Sequence, residues 1–570
     1  MSGVDIETIL KQVEELLDSV GKVPVAVEQA VGKLLNVVEA LSADRKELSQ
    51  EVARLRQQLQ QKKKAKTTGH ANPGGDSESQ TESDHSSEKR RRQRLKKARR
   101  PHDRRSFKEL TIHETIECPV DPDTLPPDAV RVQDESVVVQ DIEIKPRNIR
   151  FQRQVYYSAV AGKFFRGPLP SGYDVGDFGA DLRALILSLK YCGNMSEPKI
   201  REFLENFDVQ LSAGSLSNIL TNTAASFEPE YHHVLIAGLS SLAYQQTDDT
   251  SARVAGQSWH THVLCNPFYT WYSTRPGKDR LTVLAVLQNQ AETRFRFNAQ
   301  TLALLGEELT IPNKWQQSLS ALIDEHDGDV EFDARSLKSL LDGWFDGRCQ
   351  QTRTAIEHAA AIVSYRRQTS VPVIDVLVCD DAGQFKLLTD HLAACWIHAG
   401  RHYERLSPVV PQHAQALDHF AERYWDFYAA LQDYRGSPSE TWALKLRQEF
   451  DQLFATRTGY DALDDRIAKT SAKKEDLLTV LSHPSVPLHN NASELGARVS
   501  ARRRDVSLHS RSARGARAMD IFTTLVQTCK KLSLSAYAYF RAHLRHTLSA
   551  PSLALRIQQA AASGCRHARL

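Results

Sequence analysis

Several absences bound this sequence first. It has no apolar run of the roughly 18 residues a membrane-crossing helix needs, which excludes a helical membrane protein. Its first residues, Met1-Ser2-Gly3-Val4-Asp5-Ile6-Glu7, lack the basic and then apolar stretches of a secretory signal, so a chain retained in the cytoplasm is expected. Its 8 cysteines are scattered without a Cys-x-x-Cys pair. That pattern supports neither a disulfide framework nor a zinc site, so no zinc is expected. An excess of one charge is also missing: 73 Lys plus Arg stand against 70 Asp plus Glu, a formal net charge of +3. This argues against a uniformly basic nucleic-acid coat, though not against a local basic segment. What remains is ordinary for a globular protein. The 570 residues are 41% hydrophobic and 25% charged, enough for roughly three to five structural units.

The units differ along the chain. Residues 1–61 read as a coiled-coil dimerisation helix. Val27, Leu34, Leu41, Leu48 and Leu55 recur every seven residues, and Val31, Val38, Arg45, Val52 and Leu59 form the second seam. Mostly β-branched a positions with Leu at d favour a parallel dimer, and Arg45 restricts pairing at some loss of strength. An amphipathic helix packed on its own protein is the alternative; the strict period favours self-association. Residues 62–106 read as a disordered linker ending in a basic run. There Arg90, Arg91, Arg92, Arg94, Lys96, Lys97, Arg99 and Arg100 can neutralise phosphates without sequence preference. A solubilising tail has the same composition. Residues 107–175 predict a small β-rich module, with period-two strands over 136–144 and 149–157. Cys118 in it resembles half of a degenerate zinc knuckle. Residues 176–230 predict a helix-turn-helix, its second helix capped by Ser212 and offering Ser215, Ser217 and Asn218 to a groove. Many helix pairs that never touch DNA share that pattern.

Residues 231–404 and 482–545 carry the acids. A strand over 242–250 ends in Asp248-Asp249, followed by strands over 258–265 and 268–274 and a helix over 279–287. After a helical stretch, a continuous apolar run ends in Asp380-Asp381, as expected of a strand buried on both faces. A further short strand is read over 392–398. This is the element order of a ribonuclease-H-like α/β domain within a multidomain α/β chain. Carboxylates at neighbouring strand ends suit hard divalent cations, which take oxygen ligands and leave room for phosphate. A third acid, Glu494, lies in the first turn of a helix capped by Asn490 or Asn491, with Arg498 at i+4 and Arg502 and Arg503 beyond. Asp is also common at strand ends and caps for structural reasons alone. Residues 405–481 are patterned as an all-helical insertion, and 546–570 as a C-terminal tail. Whether the insertion touches DNA, a second protomer or only the core is open at this level.

The blocks Thr247-Asp248-Asp249-Thr250, Val378-Cys379-Asp380-Asp381-Ala382-Gly383-Gln384-Phe385, Cys395-Trp396-Ile397-His398-Ala399-Gly400-Arg401-His402 and His489-Asn490-Asn491-Ala492-Ser493-Glu494 resemble the signatures of bacterial DDE transposases of the insertion-sequence-66 kind. The order of parts, from zipper to catalytic domain, is similar too. The resemblance implies that Asp248, Asp380 and Glu494 hold two Mg²⁺ or Mn²⁺ ions, and that Asp248 rather than Asp249 is the first acid. Asp380 is preferred over Asp381 because it directly ends the apolar run. His398 would orient the scissile phosphate; a buried structural histidine is the alternative. The implied partners are transposon-end DNA, target DNA and a second or further copy of the chain, with companion proteins of the same element as further candidates. The implied setting is the bacterial cytoplasm, associated with the nucleoid. The rival reading is a non-catalytic, sequence-specific DNA-binding regulator with a ribonuclease-H-like body. A structure-directed nuclease that cuts but does not join is a third.

Overall fold

The computed structural model describes residues 25–67, 111–121, 124–126, 129–131, 133–170, 172–173, 178–289, 291–345, 349–546 and 552–564. They divide into two units, Met1–Glu47 with Asn148–Leu570, and Leu48–Arg147. No helix among the described residues is long and apolar enough to cross a membrane. The basic run from Arg90 to Arg100 lies outside the described residues.

Helix α1 (Val25–Thr67) runs beyond the expected end at 61, because the Lys and Ala residues over 62–66 are good helix formers. Leu34, Leu41, Leu48 and Leu55 are all exposed. In the second unit the alternating run over 136–144 forms no strand. Val137 and Val139 on one face and Ile142 on the other are exposed, so no described residue buries either face that the alternation would create. Cys118 is exposed.

In the first unit, β1 (Val155–Ser158) and β2 (Lys163–Arg166) form an antiparallel hairpin in register Val155↔Arg166. The strand expected over 149–157 is therefore short and pairs forward in sequence. Helices α2 (Ala180–Tyr191), α3 (Glu197–Glu205), α4 (Ala213–Asn222) and α5 (Ala224–Ser241) follow. Ser212 caps α4 by accepting the Ser215 N–H, and Leu216, Ile219 and Leu220 turn inward. Ser217 and Asn218 are left exposed and Ser215 half-buried.

The central sheet comprises β3 (Tyr244–Val254), β4 (Gln257–Asn266), β5 (Tyr269–Arg275), β8 (Val376–Cys379) and β9 (His391–Ala394), ordered β5-β4-β3-β8-β9. The first three are antiparallel; β3–β8 and β8–β9 are parallel. Between β5 and β8 lie α6 (Arg280–Leu287), a two-stranded antiparallel sheet of β6 (Phe295–Asn298) and β7 (Asp329–Phe332) whose strands are joined through helices α7 (Ala299–Glu307) and α8 (Asn313–Asp324), and then helices α9 (Ala334–Trp344) and α10 (Gln350–Arg367). This small sheet breaks what reads in sequence as one helical stretch.

After β9 come α11 (Trp396–Glu404), then the insertion helices α12 (Pro411–Gly436), α13 (Glu440–Phe454), α14 (Asp461–Ser471) and α15 (Lys474–Ser482). The strand expected over 392–398 ends at Ala394. Trp396 and His398 belong to α11, because Trp396 and Tyr403 must both face the aromatic core of the insertion, which includes Phe420, Tyr424 and Phe450. The last helices are α16 (Asn491–Ser507), α17 (Ala513–Lys531), α18 (Ala536–Leu544) and α19 (Leu553–Ala562).

Strand β5 is the sheet edge, and α17 covers it. The N–H groups of Thr274, Tyr272 and Thr270 donate to Asp520, Thr524 and Thr528 at 2.7, 3.1 and 3.4 Å. Four helical residues rise about 6 Å and two strand residues about 6.6 Å, so side chains at i, i+4 and i+8 match alternate strand amides. The otherwise open edge is thereby satisfied.

Helix α1 docks on the insertion by a polar face. Glu39, 7% exposed, accepts the N–H groups of Val409 and Val410 at the start of α12 at 2.9 and 2.8 Å, and lies 3.2 Å from His413 Nδ1. Asn36 donates to the Gly459 carbonyl and accepts the Asp461 N–H. In the heptad frame of Leu34 and Val38, Asn36 and Glu39 occupy outer positions. The leucine register takes no part in this docking.

Candidate active site

Strand alternation sorts the acids. On β3, Asp248 shares a face with Tyr244, which packs on Val376 and Val378 of β8. Asp380 directly follows β8 and continues that same face, whereas Leu377 and Cys379 point into the main core. Asp249 lies on the opposite face. There it accepts the Gln384 side-chain amide at 3.2 Å and stands 3.9 Å from His260 Nδ1. Asp381 pairs with Lys473 of the insertion. Of the two adjacent pairs, then, Asp248 and Asp380 converge, and Asp249 and Asp381 have partners elsewhere. Contrary to expectation, β3 does not end at its acids but runs on to Val254, so Asp248 sits mid-strand beside Val263 of β4.

Helix α16 brings the third acid. Asn490 stands at its N-cap, but its side chain does not cap it. The amide instead donates to the Thr247 carbonyl at 2.8 Å, and Ser493 Oγ lies 3.2 Å from the same oxygen. Ser493 Oγ also donates to Asn490 Oδ1 at 2.6 Å. One turn on, Gly496 lets the helix lie against β4: a Cβ there would meet Val263 Cγ1 at 2.8 Å. Tyr272 donates its hydroxyl to the Gly496 carbonyl at 3.1 Å. These contacts bring Glu494 over the face that carries Asp248 and Asp380.

The electrostatics follow from that placement. Burial pushes the Asp248 carboxyl up to about 7; the Asp249 N–H, donating to it at 2.8 Å, opposes this, and the charges of Asp380 and Asp249 add to it. Glu494 is also raised by burial and by Asp248 and Asp380, against the pull of Arg401 and Arg498. Carboxylates gathered on one partly buried face, where the charges of Asp248 and Asp380 disfavour that of Glu494, fit a site for hard cations, which would replace that repulsion with attraction.

Two side chains of α11 reach the same acid. His398 Nδ1 is 3.6 Å from Glu494 Oε1 and Arg401 Nη2 is 3.7 Å from Glu494 Oε2. Burial lowers the pKa of His398, favouring the neutral ring. Cys395, at the N-cap of α11, accepts the Asn490 N–H at 3.4 Å and so ties α11 to α16.

The expected basic face of α16 divides. The charge of Arg498 reaches Glu494, and Arg502 is exposed. Arg503 corrects the expectation: it is buried and donates to the Tyr191 carbonyl at 2.8 Å and to Thr523. It continues the inward stripe of Ser493 and Gly496, so its charge is spent inside the protein. Asn490, Ser493, Gly496 and Arg401 were not singled out by sequence as shaping the site. Asn490, Ser493 and Arg401 lie within the signature blocks, but only Asn490 was given a part there, as a cap.

Residues 350–518, which contain Asp380, His398, Arg401, Asn490 and Glu494, match the family model described as Transposase IS66 family. The chain is also 32% identical over 306 residues to the uncharacterized protein y4jO of Sinorhizobium fredii (strain NBRC 101917 / NGR234), a match covering 54% of this chain and 93% of that protein. No solved structure matches. The family match coincides with the elements that carry two of the three converging acids, and the chain belongs to the IS66 family of transposases.

Proposed function

We propose that the chain is a DNA transposase that binds the terminal inverted repeats of its element, cleaves DNA strands there and joins the freed ends to target DNA. The observation that carries this reading is the convergence of Asp248, Asp380 and Glu494 on one sheet face, drawn from β3, the end of β8 and α16. Three antiparallel strands followed by two parallel ones support a ribonuclease-H-like catalytic domain.

The donor set fits Mg²⁺ or Mn²⁺: Asp248, Asp380 and Glu494 would hold the ions. Such ions activate a water or a 3′-hydroxyl and offset charge on the leaving oxygen in an in-line displacement. The protein's own groups do the rest. Arg401 and Arg498 place fixed positive charge beside Glu494 for a DNA phosphate. His398, neutral through burial, offers a ring nitrogen for orienting the scissile phosphate. The Asn490–Thr247 bond fixes Glu494 relative to Asp248.

The remaining parts supply binding. The basic run from Arg90 to Arg100 and the exposed Arg502 contact phosphates. Ser215, Ser217 and Asn218 of α4 meet base edges. The exposed register of Leu34, Leu41, Leu48 and Leu55 pairs two copies, supported by the use of the opposite, polar face of α1 for docking. The regulator alternative gives no reason for three carboxylates gathered on one partly buried face. The test is a strand-transfer assay on supercoiled plasmid carrying the element's ends: Asp248→Ala and Glu494→Ala are expected to abolish joining, and wild-type activity in either overturns the reading.

A further inference from the structure

The contacts of the Cys-x-x-His segment around Glu494 exceed what a carboxylate triad requires. Cys395, His398 and Glu494 each offer a ligand atom within 4.8 Å of the other two, the one such cluster among the described residues. His398 Nδ1 and Glu494 Oε1 face each other at 3.6 Å, too long for a good hydrogen bond, and both are buried atoms without a hydrogen-bond partner. Buried polar atoms rarely go unmatched without a reason.

The chemistry of the set is distinctive. A thiol, an imidazole and a carboxylate are poor company for Mg²⁺, which takes oxygen. They are the three donor types of zinc sites, where three protein ligands leave a fourth position for water. We propose that Cys395, His398 and Glu494 form a binding site for a borderline-soft divalent cation of the zinc class, overlapping the carboxylate triad at Glu494.

Binding proceeds by proton exchange. The Cys395 S–H bond breaks, the proton leaves to solvent, and a sulfur–metal bond forms in its place. Burial holds the free thiol protonated, up to about 12, so the proton departs as the ion arrives. The thiolate then formed already has donors: the N–H groups of Ile397 and His398 at the start of α11, and that of Asn490. Because the site takes Glu494, a soft cation there opposes hard-cation binding by Asp248 and Asp380. That consequence rests on the proposed triad; the binding itself does not.

The test titrates the metal-free, full-length protein with Co²⁺, reading thiolate-to-cobalt charge-transfer absorption, and then displaces it with Zn²⁺. One ion per chain and a charge-transfer band are expected. Cys395→Ser should abolish the band and weaken Zn²⁺ binding on the order of 100-fold. Serine keeps an acceptor for the Asn490 N–H, and circular dichroism checks the fold. His398→Gln, at a partly exposed position, is expected to weaken binding comparably and serves if the serine variant does not fold. Asp248→Asn with Asp380→Asn should leave the band intact. No band in the wild type, a band that persists in Cys395→Ser, or a band lost with the two Asn variants overturns the proposal. If the Asn variants abolish strand transfer while no band ever forms, the triad stands and this site falls. An intact band with active Asn variants is the reverse.

Discussion

The side-chain amide of Asn490 donates to the carbonyl of Thr247 at 2.8 Å, joining the start of the Glu494 helix to the residue that precedes Asp248. Two acids from distant parts of the chain thus share one buried anchor. Asn490→Ala leaves Ser493 as the side-chain donor to the Thr247 oxygen and removes a buried hydrogen bond, costing about 1–3 kcal/mol of stability. Misplacing Glu494 by even about 1 Å should lower strand transfer on the order of 100-fold. Urea unfolding and the joining assay check the two effects separately. Wild-type joining by Asn490→Ala would mean that the anchor does not position the site.

Gly496 supplies the second constraint. Its missing Cβ leaves room for Val263, so Gly496→Ala should push α16 off β4 and destabilise by about 1–3 kcal/mol. Val263→Ala opens the same space from the other side. The double variant is expected to recover part of the stability and joining lost by Gly496→Ala. A strictly additive double variant would rule out this contact as the cause.

The pH dependence of the metal-free protein should carry the mark of Asp248. Its carboxyl is raised to about 7 when folded, against about 3.9 unfolded. A raised folded value means that the folded chain holds the proton more tightly. The associated stability is full below about pH 4 and is lost as pH rises through about 7. Metal-free Tm should fall across that window, and Asp248→Asn should flatten the fall. Mn²⁺ replaces the proton, so its stabilisation should be larger at about pH 8 than at about pH 6. Thermal melts across pH, with and without Mn²⁺, decide this; an unchanged slope in Asp248→Asn contradicts it.

Helix α1 should separate into two functions by face. Glu39→Ala strips the acceptor from the Val409 and Val410 amides, which should raise hydrogen exchange there and cost about 1–3 kcal/mol. Leu34→Asp with Leu41→Asp changes exposed positions, so the fold should persist while light scattering reports dissociation to monomers. An unchanged mass would place self-association elsewhere.

Much of this was legible in sequence because it is local. The order of the strands, the apolar run before Asp380 and the helical patterning of the insertion each depend on neighbours a few residues away. What was not legible depends on distant ones. The run at 136–144 alternates like a strand, yet alternation only permits pairing, and among the described residues no partner buries it. Trp396 reads as strand, but its environment is set by Phe420, Tyr424 and Phe450. Asn490 reads as a cap because caps are local, whereas its partner, Thr247, lies across the fold. Arg503 reads as a DNA contact because a run of arginines does not say which one the helix turns inward. The scattered cysteines gave no zinc spacing, since Cys395 and His398 meet Glu494 only through the packing of α11 against α16.

The most direct measurement is calorimetric titration of the full-length protein with Mn²⁺ in five single variants. Asp248→Asn, Asp380→Asn and Glu494→Gln should each abolish or severely weaken binding, while Asp249→Asn and Asp381→Asn should bind as the wild type does. Loss of binding in Asp249→Asn or Asp381→Asn, or its retention in any of the first three, would contradict the convergence of Asp248, Asp380 and Glu494 as the metal centre.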